Sequence, residues 1–172
     1  NKPGIETIDP HAIAELAGDY EVASMTGTIP HPYSEEMAVN WIESLQDGEE
    51  GVAFAVDLGG DLIGCVGYRA TEKDHAEMGY WIGKPYWGRG YATEAARALI
   101  LYAFEKEVFD YLTVGHFKEN PASARVIAKL GFEPHSDTIV LIRLDPKRQR
   151  IAMLSLPRDL AVTIPGYADG VK

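Results

Sequence analysis

The sequence predicts a mixed α/β domain in which helices and strands do not alternate regularly. Two apolar segments on either side of Gly59-Gly60 have the pattern of an antiparallel hairpin. A third extended segment, HAEMGYWI, alternates in period two, and the glycine-containing segment PYWGRGY then leads into an alanine-rich helix. The predicted order is helices, a hairpin with a third strand, helix, strand, helix and two strands. This order excludes a regular βαβ repeat.

The chain length of 172 residues fits one domain, and we expect a single domain over 1–172 with an irregular tail from about residue 157. A hydrophobic content of 46% with 24% charged residues argues against wholesale disorder. No apolar run approaches the roughly 20 residues that cross a bilayer, and the start lacks a signal-peptide pattern. We therefore expect no membrane association.

The formal charge of −10 argues against broad electrostatic binding of nucleic acid. The acidic surplus favours a cationic substrate such as an amine, but a generally acidic protein explains it equally well. Cys65 is the single cysteine, which favours a reducing, cytoplasmic location. Within LIGCVGY we expect it to be a buried core residue and not a nucleophile. The five histidines show no paired metal spacing, so no metal site is predicted.

Two helices are predicted before the hairpin. A short helix over residues 11–16 rests on a weak pattern. A longer one has Ser34 as its N-cap, an acidic first turn and an end at Asp47-Gly48. Its apolar residues follow helical spacing at Ala38, Trp41, Ile42 and Leu45.

The hairpin strands are predicted over 51–57 and 62–69, and the third strand over 75–82. In the third strand, alternation places one set of side chains on one face and a second set on the other. The first set is Met78, Tyr80 and Ile82; the second is His75, Glu77 and Trp81. Gly79 lies between them, where glycine often marks a bulge or a close backbone approach.

The second half of the chain predicts two helices and three strands. Asn120-Pro121 supplies an N-cap and a first-turn proline for the second helix, and Leu130-Gly131 ends it. The predicted elements are a helix over about 92–106, a strand over 111–116, this helix, and strands over 138–144 and 151–156.

The segment Gly88-Arg89-Gly90 stands between a predicted strand and a helix N-terminus. Free backbone N–H groups converge at such a turn, so it suits an anion such as a phosphate. It is not the dinucleotide fingerprint, because position 93 is Thr, and no G-K-[ST] follows as in a P-loop. Alone, the segment is equally consistent with a tight strand-to-helix connection.

Two longer segments, AEMGYWIGKPYWGRGYATEA and NPASARVIAKLGF, resemble the RimJ/RimL-type branch of the GNAT N-acetyltransferases, and the likeness extends from about Ser34 to Leu156. The resemblance implies a GNAT-like central sheet, mostly antiparallel and splayed, flanked by helices. It implies acetyl-CoA as the acyl donor, with no metal. Pro85 departs from the superfamily motif, and the expected first strand is hard to find before residue 9.

By this resemblance, the turn and helix start hold the pyrophosphate, and the end of the third strand pairs with the pantetheine arm. The pyrophosphate residues are Trp87, Gly88, Arg89, Gly90, Tyr91, Ala92 and Thr93; the pantetheine residues are Trp81, Ile82, Asn120 and Ser123.

Three residues are candidates for the chemistry. Glu77 would accept the amine proton through water, the N–H of Ile82 would bind the thioester oxygen, and Ser123 would protonate the departing thiolate. Each has a structural alternative. Glu77 could be a solvated strand residue, and Ser123 a helix-surface serine.

These residues predict an N-acetyltransferase that transfers acetyl directly from acetyl-CoA to a primary amine in a ternary complex. The acceptor would be a peptide N-terminus or a small amine, bound near residues 26–34 and 133–137. A non-catalytic acyl-CoA-binding module and a nucleotide-phosphate binder are the alternatives. The protein could be a monomer or a homodimer.

Overall fold

The computed structural model describes residues 8–47, 51–72, 75–106, 109, 111–131, 138–145 and 150–157. Its helices are α1 (Pro10–Ala17), α2 (Tyr20–Ala23), α3 (Glu35–Asp47), α4 (Tyr91–Lys106) and α5 (Pro121–Lys129). Its strands are β1 (Val52–Leu58), β2 (Asp61–Glu72), β3 (His75–Ile82), β4 (Tyr111–Val114), β5 (Thr138–Asp145) and β6 (Arg150–Pro157).

Short polar side chains cap the helices, as elementary capping chemistry requires. The Asp9 carboxylate accepts from the His11 N–H at 2.9 Å, and the Ser34 hydroxyl accepts from the Met37 N–H at 3.2 Å. Asp19 caps α2 in the same way, accepting from the Glu21 N–H at 2.8 Å. The sequence pattern missed α2, because a four-residue helix shows no apolar periodicity.

The β1–β2 hairpin turns at Gly59-Gly60, as predicted. Both residues have positive φ, 69° and 101°, which a two-residue type I′ turn requires and which glycine adopts without strain. The register then runs from Leu58↔Asp61 to Val52↔Tyr68.

The six strands form one sheet in the order β1-β2-β3-β4-β5-β6. Every neighbouring pair is antiparallel except β3 and β4, which are parallel. The β3–β4 register begins at His75↔Tyr111 and stops at Met78↔Val114. Residues 79–82 of β3 therefore extend beyond β4, and the two strands separate as the predicted splayed sheet requires. The opening beside residues 79–82, on the β4 side of β3, is called the splay below. The predicted strand over 111–116 is two residues too long.

The predicted bulge at Gly79 is wrong. Gly79 pairs with Gly67, and the β2–β3 register is regular on both sides of this pair. The one shift in the described part of the β2–β3 register lies farther along, between Ala70 and Glu72. A Cβ on Gly79 would meet no atom within 4 Å. The splay therefore comes from the end of β4 and not from a distortion of β3.

Two apolar clusters hold the sheet, one on each face. The α4/α5 cluster includes Met78, Leu99, Leu112 and Ile127, with Tyr80 packed against it. The α1/α3 cluster includes Ile13, Ala38, Ile42 and Leu45, with Trp81 packed against it. The predicted alternation of Tyr80 and Trp81 between the two faces of β3 is confirmed.

Several sequence predictions fall outside the described residues. They are the missing first strand, insofar as it concerns residues 1–7, the turn over 133–137, and the tail beyond residue 157. Among the described helices, none has the length and apolarity needed to span a bilayer.

Candidate functional site

The edge that β3 presents beyond β4 is the centre of the candidate site. The Gly83 N–H donates to the Ile63 carbonyl of β2 at 2.8 Å, so the backbone of residue 83 faces β2. Because successive residues of a strand point their N–H groups to opposite sides, the N–H groups of Tyr80 and Ile82 face the splay. That of Trp81 faces β2. The Trp81 side chain packs against the α1/α3 cluster, and its predicted contact with pantetheine stays a prediction.

Trp87 fastens the glycine turn to this edge. Its indole N–H donates to the Ile82 carbonyl at 2.6 Å, while 45% of the residue stays exposed. The Ile82 carbonyl is therefore occupied, and its N–H is the group that faces the splay. The indole also gives the turn a flat apolar surface toward solvent.

The turn itself is built as the sequence predicts. Gly88 and Gly90 have φ of 77° and 89°, in the left-handed region that favours glycine. A Cβ on either residue would meet no atom within 4 Å, so the space around the turn is open. The exposed Arg89 stands between them, and α4 begins at Tyr91. The first turn of α4, which includes Ala92 and Thr93, thus begins beside open space, and helix N-termini of this kind suit an anion.

Pro85 has a local explanation. Residues 84–86 form a 3₁₀ turn, and Pro85 is its second residue. A backbone N–H in the first turn has no partner within the turn, so the N–H that proline lacks costs nothing here. The Lys84 ammonium in the same turn is ion-paired with the Glu21 carboxylate of α2. This pair raises the pKa of Lys84. Pro85, which departs from the family motif, is thus part of the 3₁₀ turn that leads into the glycine turn.

On the far side of the splay, Asn120 and Ser123 come together at the start of α5. The Asn120 carboxamide oxygen accepts from the Ser123 N–H at 3.0 Å, which confirms Asn120 as the N-cap. The Ser123 hydroxyl lies 2.7 Å from the hydroxyl of Tyr80. Tyr80 therefore bridges β3 and α5, a link that sequence reasoning missed. Spacing along the chain gives no signal for a contact between residues 43 positions apart.

Glu77 lies on the opposite face of β3. Its side chain is 51% exposed, and its carboxylate lies 3.5 Å from the Arg69 guanidinium, which is also exposed. Such an exposed pair contributes little to stability. Next to it, His75 contacts the hydroxyls of Thr71 at 2.7 Å and Thr113 at 3.0 Å, and so links β2, β3 and β4. Glu77 is thus a solvent-accessible carboxylate on a firmly paired part of the strand.

His116 lies in the loop after β4. Its Nδ1–H donates to the Phe117 carbonyl at 2.8 Å, and its Nε2 is buried without a hydrogen-bond partner in the described part of the chain. Phe117 stands across from Gly27 of the loop between α2 and α3. The predicted acceptor-side loop thus reaches the β4 side of the splay.

Cys65 is buried, as predicted, and desolvation raises the pKa of its thiol to about 12. The described residues contain no group of three or more His, Cys, Asp or Glu side chains able to hold a metal ion.

The raised pKa predicts that Cys65 stays unreactive in the native protein. A raised pKa means that the thiol remains protonated below about pH 12, and only the thiolate reacts with iodoacetamide. We expect no alkylation at pH 8, measured by intact mass, and complete alkylation after denaturation in urea. Rapid labelling of the folded protein would contradict the assignment of Cys65 to the core.

Comparison with known proteins shows which family this chain resembles. The model of the acetyltransferase (GNAT) domain matches residues 5–133. A model of the LytR_cpsA_psr family matches residues 123–172 and overlaps the GNAT match over residues 123–133.

An uncharacterized N-acetyltransferase of Bacillus subtilis, YoaA, is 29% identical over 115 residues, which are 66% of this chain and 59% of that protein. The chain thus spans less than two thirds of the length of this relative. The crystal structure of a GNAT-family acetyltransferase from Bacillus anthracis matches with a TM-score of 0.64 and 26% identity, over 76% of each chain. RimL, a ribosomal L7/L12 alpha-N-protein acetyltransferase solved with coenzyme A, matches with a TM-score of 0.61 and 14% identity, over 72% of this chain and 75% of that one. With a family model covering most of its length, the chain belongs to the GNAT acetyltransferases.

Proposed function

We propose that this protein is an N-acetyltransferase that transfers acetyl from acetyl-CoA to a primary amine. The observation that carries the proposal is the end of the β3–β4 register at Met78↔Val114, beside a glycine turn that opens into α4. The free edge of β3 then leads toward the proposed anion site at the start of α4. Acetyl-CoA has the matching parts, an amide-bearing pantetheine arm and a pyrophosphate.

The donor would lie with its pyrophosphate on residues 88–93 and its pantetheine arm along β3, pairing with the edge as an added strand. The thioester would then reach the vertex of the splay, at residues 78–79. Tyr80 is nearer this vertex than Ile82 by two residues, or about 6.6 Å at about 3.3 Å per residue. The geometry therefore favours the Tyr80 N–H as donor to the thioester oxygen, and the Ile82 N–H as a contact to pantetheine.

Direct transfer needs a neutral amine, a proton acceptor and a donor to the departing thiolate. Glu77 and Ser123 lie on opposite faces of β3, near its junction with β4. An amine that approaches from the α1/α3 face would meet Glu77, through water, before it reaches the thioester. The sulfur would leave toward α5, where Ser123 lies. The positions of Glu77 and Ser123 support direct transfer in a ternary complex.

The acceptor is proposed by chemical class. RimL is a ribosomal L7/L12 alpha-N-protein acetyltransferase, and this chain shares its fold. A net charge of −10 also favours a cationic acceptor. A peptide N-terminus and a small amine are therefore the two classes to compare.

An acceptor screen tests the function directly. Release of free thiol from acetyl-CoA would be followed over N-terminal peptides, polyamines and aminoglycosides. We expect transfer to at least one class. Tight binding of CoA without transfer to any of them would favour the alternative of an acyl-CoA-binding module, while thermal stabilisation by ATP but not by CoA would contradict both.

Glu77→Gln should lower kcat by about 10²-fold, the low end of the effect of a general base, while CoA affinity stays unchanged. The exposed Glu43 of α3 supplies a matched control, since Glu43→Gln removes a carboxylate remote from the splay. Steady-state kinetics and calorimetry with CoA make the comparison. Equal activity of both variants would remove Glu77 from the mechanism.

Gly90→Ala should weaken CoA binding about tenfold, because a left-handed alanine costs about 1–2 kcal/mol in the turn that binds phosphate. Gly131→Ala is the matched control. Gly131 has a similar φ of 95° and equally open surroundings, but it follows α5, away from the turn. Both variants should lose similar thermal stability, and Gly131→Ala should keep its CoA affinity. A similar loss of affinity in both would show that the turn is not the phosphate site.

A further inference from the structure

The contact between Tyr80 and Ser123 has a chemical consequence for the departing thiolate, and it rests on the proposed function. We propose that the Tyr80 hydroxyl donates its hydrogen to Ser123 Oγ and so positions the Ser123 hydroxyl to protonate the sulfur of CoA. Tyr80 acts through Ser123 and is a positioning residue; Ser123 is the group that contacts the sulfur.

The distances permit the Tyr80 hydroxyl to donate to Ser123 Oγ. The Tyr80 hydroxyl lies 2.7 Å from Ser123 Oγ and 3.4 Å from the Ser123 carbonyl. At 2.7 Å either hydroxyl could donate, and we assign the donor to Tyr80 because a phenol is more acidic than an aliphatic alcohol. When Tyr80 donates, Ser123 Oγ accepts, and its own hydrogen stays available for another acceptor. The Ser123 backbone is fixed separately, because its N–H donates to Asn120.

The Tyr80–Ser123 contact lies beside the splay. Tyr80 lies two residues beyond the last pairing of β3 with β4, and its side chain packs on the α4/α5 cluster. Its ring therefore extends from β3 to the start of α5 and closes the splay on that face. The hydrogen of Ser123 Oγ that is not used by Tyr80 is available to the sulfur of a thioester held at the vertex.

Proton transfer by a serine alone is unfavourable, since an alkoxide is far more basic than a thiolate. A phenolate is a much weaker base than an alkoxide, and because burial raises the pKa of Tyr80 the tyrosinate is short-lived. When the C–S bond breaks, the Ser123 proton forms the S–H bond and the Tyr80 proton replaces it on Ser123. The tyrosinate then regains a proton from solvent, which balances the proton that the amine gives to Glu77.

Burial keeps Tyr80 in the state that this step needs. Desolvation raises the pKa of the Tyr80 hydroxyl, and the hydrogen bond with Ser123 lowers it by a smaller amount. A raised pKa leaves the hydroxyl protonated throughout the neutral range, so the donor is present wherever the amine acceptor is partly neutral.

A double-mutant cycle tests the positioning role. We expect Tyr80→Phe to lower kcat about tenfold and Ser123→Ala about 10²-fold, with the KM for acetyl-CoA within about twofold of wild type. The double variant should match Ser123→Ala alone, because Tyr80 acts only through Ser123. Tyr102→Phe is the control, since Tyr102 is another tyrosine packed on the α4/α5 cluster.

The outcomes separate this inference from the proposed function. A wild-type protein that transfers acetyl to no amine overturns the proposed function, and this inference with it. If wild type is active and Tyr80→Phe keeps full kcat, only the positioning role is overturned. The positioning role is also overturned if the fold-loss of kcat in the double variant equals the product of the two single fold-losses. It is overturned as well if kcat falls only in proportion to thermal stability while the KM for acetyl-CoA rises.

Discussion

The site depends on the early end of one parallel strand pair. β3 and β4 stay paired only from His75↔Tyr111 to Met78↔Val114, and β3 continues for four more residues. A strand edge normally invites another strand. Here the edge opens toward the glycine turn, so a linear ligand that carries amides at one end and phosphates at the other fits both features together.

Side chains alternate along a β-strand, so the two faces of β3 carry different residues. Its two edges also differ, because one pairs with β2 and the other borders the splay. Tyr80 packs toward α4 and α5, Trp81 packs toward α1 and α3, and Glu77 stays exposed on the latter face. Because both faces are anchored by apolar packing, the free edge is held without pairing to β4. A base on one face and a hydroxyl pair on the other can then act on a group held at the edge.

Most of the fold follows from local patterns in the sequence. Caps at Ser34 and Asn120, the Gly59-Gly60 turn and the alternation in 75–82 each act over a few residues, and each is confirmed. The structure adds what depends on contacts distant along the chain. The register that ends at Val114, the Trp87 bond to Ile82 and the Tyr80–Ser123 contact all depend on tertiary packing. Once the register is known, strand alternation also shows that the N–H groups of Tyr80 and Ile82 face away from β2, whereas that of Trp81 faces it.

The central claim is that the pantetheine arm of acetyl-CoA pairs with the free edge of β3. Residue-resolved amide hydrogen exchange, with and without CoA, tests it most directly. The N–H groups of Tyr80 and Ile82 face the splay, whereas those of Gly79 and Trp81 already face β2. The account predicts that CoA slows exchange at Tyr80 and Ile82 and leaves Gly79 and Trp81 little changed. Protection confined to the glycine turn, or spread evenly over residues 79–82, would contradict it.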